Sequence, residues 1–235
     1  MTTRSTPPIA LITGGSSGLG LALARSLDDT GWVVVTDARN AHRLHAALEG
    51  TTVHGVAGDI ADADHRAALV GVVTDLGGLD LLVLNASTLG PLPMRPLSAY
   101  RPEEFGEVFR TNAGAPGALM VALTSQLQAR HGTVVGISSD AAVQHYETWG
   151  GYGASKAALD HLVLTFGAET ALPAYALDPG DMRTPMQQAA FPDEDISDRP
   201  LPQSVVPRLL ALVDRRPPTG RYVATEIARL EVAGA

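Results

Sequence analysis

The chain contains no cysteine, which excludes disulfides, thiolate metal sites and cysteine nucleophiles together. It is almost as poor in lysine: 17 residues are cationic, and all but Lys156 are arginine. Positive charge is also in deficit, with 17 Lys and Arg against 25 Asp and Glu and a net charge of −8. An acidic chain is a poor partner for nucleic acid or for an anionic membrane, and neither is expected here. No apolar run is long enough for a signal h-region or a membrane span, and the first one stops at Thr13-Gly14-Gly15 behind a polar Met1 to Pro8. A cytoplasmic protein is therefore the expectation. The seven histidines are scattered, without carboxylate partners at ligand spacing, so no metal site is expected. What the chain does have is apolar material: 45% of its 235 residues are hydrophobic, enough for one large core over residues 1–235.

Strand-like and helix-like segments alternate along the whole sequence. Ile9 to Ile12, Trp32 to Thr36, Thr52 to Val56, Leu79 to Leu84, Thr133 to Ile137 and Ala174 to Leu177 read as six strands, several rich enough in Val and Leu to be buried on both faces. Helical spacing fills 19–27, 40–49, 62–76, 102–130 (with a break) and 152–170. Such βαβαβ order predicts a parallel sheet with helices on both faces. The one long irregular stretch, Arg183 to Pro202, reads as a lid over about 183–205.

Thr13-Gly14-Gly15-Ser16-Ser17-Gly18-Leu19-Gly20 stands between the first strand and the first helix. Glycines there permit a tight turn and bring backbone N–H groups against a pyrophosphate at the helix start. The spacing is TGxxxGxG rather than G-x-G-x-x-G. In that it resembles the turn of the short-chain dehydrogenase/reductase family in its compact form, which implies a single-domain, Rossmann-like, doubly wound α/β sheet. Gly14, Ser16, Ser17, Gly18, Leu19 and Gly20 are the cofactor-binding residues so implied.

Tyr152-Gly153-Ala154-Ser155-Lys156 matches the family's YxxxK. At i and i+4 of a helix a phenol and an ammonium share one face. A nearby cation favours the phenolate, so the lysine is expected to depress a tyrosine pKa that is otherwise about 10. The chain's one lysine stands at this place, which is hard to ascribe to chance. Ser139 precedes Tyr152 by 13 residues, the separation that the resemblance implies for the serine bonding the substrate oxygen. Its neighbour Ser138 reads as a strand-end residue bonding backbone. Asn112 resembles the helix-interior Asn whose carbonyl holds a water between lysine and solvent.

The resemblance further implies cofactor contacts at Asn85, Ala86 and Ser87 (the family's NNAG, here with Ser in place of Gly) and at Pro179, Gly180, Met182 and Thr184 (PG-x-x-x-T). Asp59-Ile60 follows the third strand, and Asp59 reads equally as an adenine acceptor or a helix cap. Between Glu169 and Pro179 the chain is shorter than is usual in the family, so the sixth strand is expected to enter differently. Counting from Gly20, the positions that discriminate cofactors are Ala38 and Arg39; a small residue followed by Arg favours NADP(H). NAD(H), with Asp37 reading a free ribose hydroxyl, is the alternative.

The reading is an NADP(H)-dependent carbonyl reductase or secondary-alcohol dehydrogenase acting on a small molecule, with Asn112, Ser139, Tyr152 and Lys156 as its catalytic set. A non-catalytic dinucleotide sensor, and a lyase or epimerase using the cofactor transiently, are the other possibilities. Trp149, His145, Tyr146, Met186 and Phe191 are candidates for substrate contact, with packing as the alternative. A homodimer or homotetramer through the helices around 102–130 and 152–170 is implied by the resemblance.

Overall fold

The computed structural model describes residues 6–231; the ends of the expected 1–235 domain, residues 1–5 and 232–235, lie outside the described residues. Seven parallel strands form one sheet in the order β3-β2-β1-β4-β5-β6-β7. They are β1 (Ile9–Ile12), β2 (Val33–Ala38), β3 (His54–Ala57), β4 (Leu81–Leu84), β5 (Thr133–Ile137), β6 (Ala174–Asp178) and β7 (Gly220–Val223). Every residue of β1, β4, β5 and β6 is buried, which is why those segments read as uninterrupted apolar runs. Alternation sorts their side chains to two faces. Ala10 and Ile12 join Leu23 and Leu27 of α1 (Gly18–Asp29) and Leu209 and Leu212 of α9 (Val206–Arg215). Ile9 and Leu11 join Leu69 of α3 (Ala63–Asp75), Leu119 of α5 (Ala115–Ala122) and Leu159 and Val163 of α7 (Gly150–Thr170).

β1 pairs with β2 on one side and β4 on the other, so the strand order reverses there. Parallel sheets leave a crevice beyond the carboxyl ends of the strands at such a point. The candidate site occupies it.

Four features differ from the sequence reading. The long helix over 102–130 is divided into α4 (Pro102–Phe109), a π-helical turn at Arg110–Gly114, α5 and α6 (Thr124–Arg130). The π turn carries Asn112 at its centre, and Leu123 leaves helical geometry at φ −102°. The segment 183–202 is not irregular throughout: α8 (Pro185–Ala190) starts on a Thr184 hydroxyl that accepts from the Gln187 N–H. The short link before β6 turns on Ala171 at φ +57°, yet β6 pairs with β5 in ordinary parallel register, Val134 opposite Ala174. Finally α9 and β7 were not foreseen; β7 is a half-buried edge strand and lacks an apolar run. Among the described residues no helix is long and apolar enough to cross a membrane.

Packing at the first turn is tight enough to test. A Cβ on Gly15 would lie 1.9 Å from Thr36 Oγ1, which itself donates to the Ile12 carbonyl at 2.6 Å. Gly15→Ala is expected to lower stability by about 1–3 kcal/mol. Gly71→Ala, at a helical position of α3 with nothing within 4 Å, is expected to raise it by about 0.5–1 kcal/mol. Urea denaturation midpoints of the two variants check both signs.

Candidate active site

The glycine turn is built by backbone demands that side chains would defeat. Gly14 and Gly18 have φ of +78° and +59°, and a Cβ on Gly20 would sit 2.5 Å from the Gly14 carbonyl. Asn85, just past β4, holds the turn by donating to the Thr13 and Gly14 carbonyls at 2.8 and 3.2 Å. α1 then opens with no acidic residue in its first turn, and Ser17 makes no side-chain cap bond. The N–H groups and partial positive charge of a helix start therefore face the crevice unopposed.

A cavity of about 430 Å³ runs from this turn across the carboxyl end of the sheet. At one end it is lined by Asp37, Ala38, Arg39, Asp59 and Ile60, with Arg43 of α2 (Ala41–Ala47), a residue without a sequence signal of its own. Asp59 accepts from the Ala61 N–H, so it serves a turn as well as lining the cavity. Asp37 is buried, and both its oxygens are engaged: Oδ1 accepts from the Gly14 N–H at 2.8 Å and Oδ2 meets His65 Nε2 at 2.9 Å. Burial pushes its pKa up, while the Gly14 N–H and His65 act against that rise.

At the other end the cavity wall includes Ser87, Ser139, Tyr152 and Lys156. α7 starts beside them, which puts Tyr152 and Lys156 one turn apart on its buried face. The Ser139 hydroxyl donates to Asp140 Oδ1 at 3.0 Å, accepts from the Ala141 N–H at 3.2 Å, and is near enough to the phenol to oppose the rise in its pKa. Lys156 Nζ donates to the Ile137 carbonyl at the end of β5 at 2.7 Å and lies 5.6 Å from the Tyr152 ring centroid. Ser87 Oγ is shielded from solvent and has no hydrogen-bond partner.

The electrostatics depart from the sequence expectation. The phenol is not depressed by the lysine: desolvation pushes Tyr152 up to about 12, with Asp140 and Asp178 adding to the rise and Ser139 opposing it. Lys156, wholly buried, is pulled down to about 8 by desolvation, against the pull of Asp160. Spacing on a helix places the pair together but says nothing of how deeply both are buried.

Asn112 is fully buried, and its side chain is a clamp. It accepts from the Thr88 N–H at 2.8 Å and donates to the Thr88 carbonyl at 2.8 Å and to Ser155 Oγ at 2.9 Å. It thereby ties the loop after β4 to the residue before Lys156. Ser138, read as bonding backbone, reaches the Ser139 carbonyl at 3.5 Å but donates at shorter range to Asp160 Oδ2, at 2.8 Å. The residues Asp160, Asp178 and Arg221 around it were missed; Asp160, one turn beyond Lys156, was the one legible signal.

Pro179, Gly180, Met182 and Thr184 also line the cavity, with Leu89, Trp149 and Met186 forming an apolar wall beside Tyr152. The Trp149 and Tyr152 rings meet edge to face at 5.6 Å. Phe191 stacks against Trp149 at 5.8 Å from outside the lining. Tyr146 is exposed and bonds Asp140, and His145 is exposed and away from the cavity.

Comparison with known proteins agrees with this geometry. Residues 8–195 match the short chain dehydrogenase family. An uncharacterized oxidoreductase of Schizosaccharomyces pombe is 31% identical over 183 residues, 76% of this chain and 72% of that one. An uncharacterized oxidoreductase of Mycobacterium tuberculosis is 33% identical over 172 residues, 69% of this chain but only 50% of the relative. A short chain dehydrogenase of Shigella flexneri, solved in complex with NADP, superposes with a TM-score of 0.86 at 27% identity, covering 93% of this chain and 97% of that one. The chain belongs to the short chain dehydrogenase family and is an oxidoreductase that works with a nicotinamide dinucleotide.

Proposed function

We propose that this chain is an NADP(H)-dependent carbonyl reductase, running in reverse as a secondary-alcohol dehydrogenase, with Tyr152 as its general acid and base. The observation that carries the reading is one continuous cavity joining the glycine turn to a buried phenol, serine hydroxyl and ammonium. The residues present fit a dinucleotide. The turn keeps open a cradle at Gly14 and Gly18 that a side chain would strain, and the start of α1 offers free N–H donors. Gly14, Ser16, Ser17, Gly18 and Leu19 would hold the pyrophosphate, and Asp59 and Ile60 the adenine. Asn85, Ala86, Ser87, Tyr152 and Lys156 would hold the nicotinamide ribose, and Pro179, Gly180, Met182 and Thr184 the carboxamide end. Arg39 and Arg43 supply charge for a 2′-phosphate beside the small Ala38, whereas Asp37 has both oxygens committed within the fold. The bound cofactor supplies the hydride.

The chain's own work is proton and charge management. A phenol held near 12 is neutral at physiological pH and so is a proton donor, suited to a carbonyl oxygen that becomes an alkoxide. Ser139 donates to the same oxygen, and Lys156 offsets the charge that builds on Tyr152 as its proton leaves. Leu89, Trp149 and Met186 favour an apolar or aromatic group on the carbonyl. The segment 183–205 acts as the lid of a single nucleotide-binding domain. Two copies would meet through α4, α5 and α7, where Phe105, Val121 and Leu162 are exposed.

Tyr152→Phe is expected to bind NADPH within a factor of about three of wild type while losing about 10²–10⁴-fold in carbonyl reduction. Near wild-type turnover would overturn the mechanism, and tight NADPH binding without turnover of any carbonyl by the wild type would favour the sensor. Arg39→Ala is expected to raise the NADPH dissociation constant about 10- to 100-fold and to leave NADH within a few-fold, as loss of a charge-assisted bond to phosphate requires. Fluorescence titration with both cofactors reads the difference. Lys156 carries its proton below about pH 8 and Tyr152 keeps its own up to about 12. The rate of reduction is therefore expected to be level through the neutral range and to fall as pH rises past about 8, measured as kcat/KM against pH.

A further inference from the structure

Behind the reactive groups lies a set of charges that the proposed reaction does not use. Arg221 projects from the last strand, β7, and reaches three elements at once. Its Nη2 donates to the Ser139 carbonyl at 2.9 Å and to Asp178 Oδ2 at 3.2 Å, and its Nε to Asp160 Oδ2 at 3.2 Å. Asp160 Oδ2 also accepts from Ser138 Oγ at 2.8 Å, while Asp160 Oδ1 is buried without a hydrogen-bond partner. Asp160 stands one turn beyond Lys156 on α7 and acts on it electrostatically. Lys156 and Arg221 thus face Asp160 and Asp178, two cations against two anions in a largely desolvated space.

Charges in such a space are costly unless paired, and removal of one partner leaves the others unbalanced. The pairing here is also mechanical. A planar guanidinium offers donors in a fixed fork, so one side chain can fix a strand-end carbonyl and two carboxylates in mutual register. The carbonyl belongs to the residue whose hydroxyl neighbours the phenol. Arg221 itself lies outside the cavity lining and reaches the site through Ser139 and Asp160.

We propose that Arg221 is a positioning residue of this reaction: through the Ser139 carbonyl and Asp160 it fixes where the serine hydroxyl and the lysine ammonium stand. The proposal rests on the reductase reading above. The groups acting on Lys156 are Tyr152 and Asp160 from its own helix and the Ile137 carbonyl of β5; Asp140 and Asp178 act on Tyr152, and Arg221 of β7 pairs with Asp160 and Asp178. Of these Asp160 holds the lysine proton on, against burial, and Arg221 holds Asp160 in place.

Two readouts test it. Because the chain has one lysine, a protein labelled with isotopic lysine gives a single side-chain signal in nuclear magnetic resonance. In wild type that signal is expected to titrate near 8, and in Asp160→Asn about half a unit or more lower. In Arg221→Gln the kcat for carbonyl reduction is expected to fall about tenfold or more, through misplacement of Ser139, with NADPH affinity within about twofold of wild type. Arg221→Lys keeps the cation without the fork and is expected to fall between the two; it carries the comparison if Arg221→Gln fails to fold. An unmoved lysine titration in Asp160→Asn, or wild-type kcat in the arginine variants, overturns the proposal. A wild-type protein that reduces no carbonyl overturns the reaction instead, a result told apart from the others before any variant is made.

Discussion

A buried ammonium is the constraint on which this site turns. Lys156 is sunk at the carboxyl end of a parallel sheet, where desolvation works against its charge and the Ile137 carbonyl and the Asp160 carboxylate support it. A cation in that position would be a liability in an ordinary core. It is tolerable because three separate devices converge on it: the strand end of β5, the clamp of Asn112 on Ser155, and the charge set of Asp160, Asp178 and Arg221. Each comes from a different part of the chain. The sheet brings them together because successive parallel strands end on the same side.

The same geometry explains why phenol and lysine have opposite departures from their ordinary values. Burial penalises whichever form is charged, so it keeps the proton on Tyr152 and loosens the proton on Lys156. The two groups, ordinarily close together on the pH scale, are thereby driven apart, the phenol up to about 12 and the ammonium down to about 8. A site that must hand a proton to a developing alkoxide benefits from a neutral donor next to a cation that stabilises the donor after it has given its proton up. The glycine turn does complementary work at the far end of the cavity, where bare N–H groups stand with Arg39 and Arg43 beside the carboxylates of Asp37 and Asp59.

How much of this was legible in the chain depended on whether the cause was local. β5 was read to the residue, since five buried positions in a row leave a recognisable run. The glycine turn was legible because its spacing is set by backbone geometry. The π turn at Asn112 was read only as a break, because the pairing of its amide with Thr88 and Ser155 spans 24 and 43 residues. Asp37 was weighed as a ribose reader on spacing; its engagement with Gly14 and His65, 23 and 28 residues away, has no sequence signature. Arg221 was invisible for the same reason, its partners lying 43, 61 and 82 residues upstream on a strand without apolar character. Desolvation, which decides the direction of both central pKa values, is likewise a property of the assembled core.

The most direct measurement of the central claim follows the hydride itself. With NADPH carrying deuterium at both C4 positions of the nicotinamide and an aryl ketone in ordinary water, mass spectrometry of the product reads where the label goes. The account predicts a secondary alcohol carrying deuterium on the former carbonyl carbon, with its hydroxyl proton from the protein and solvent. An alcohol without the label, or consumption of the ketone with no change in the nicotinamide, would contradict it.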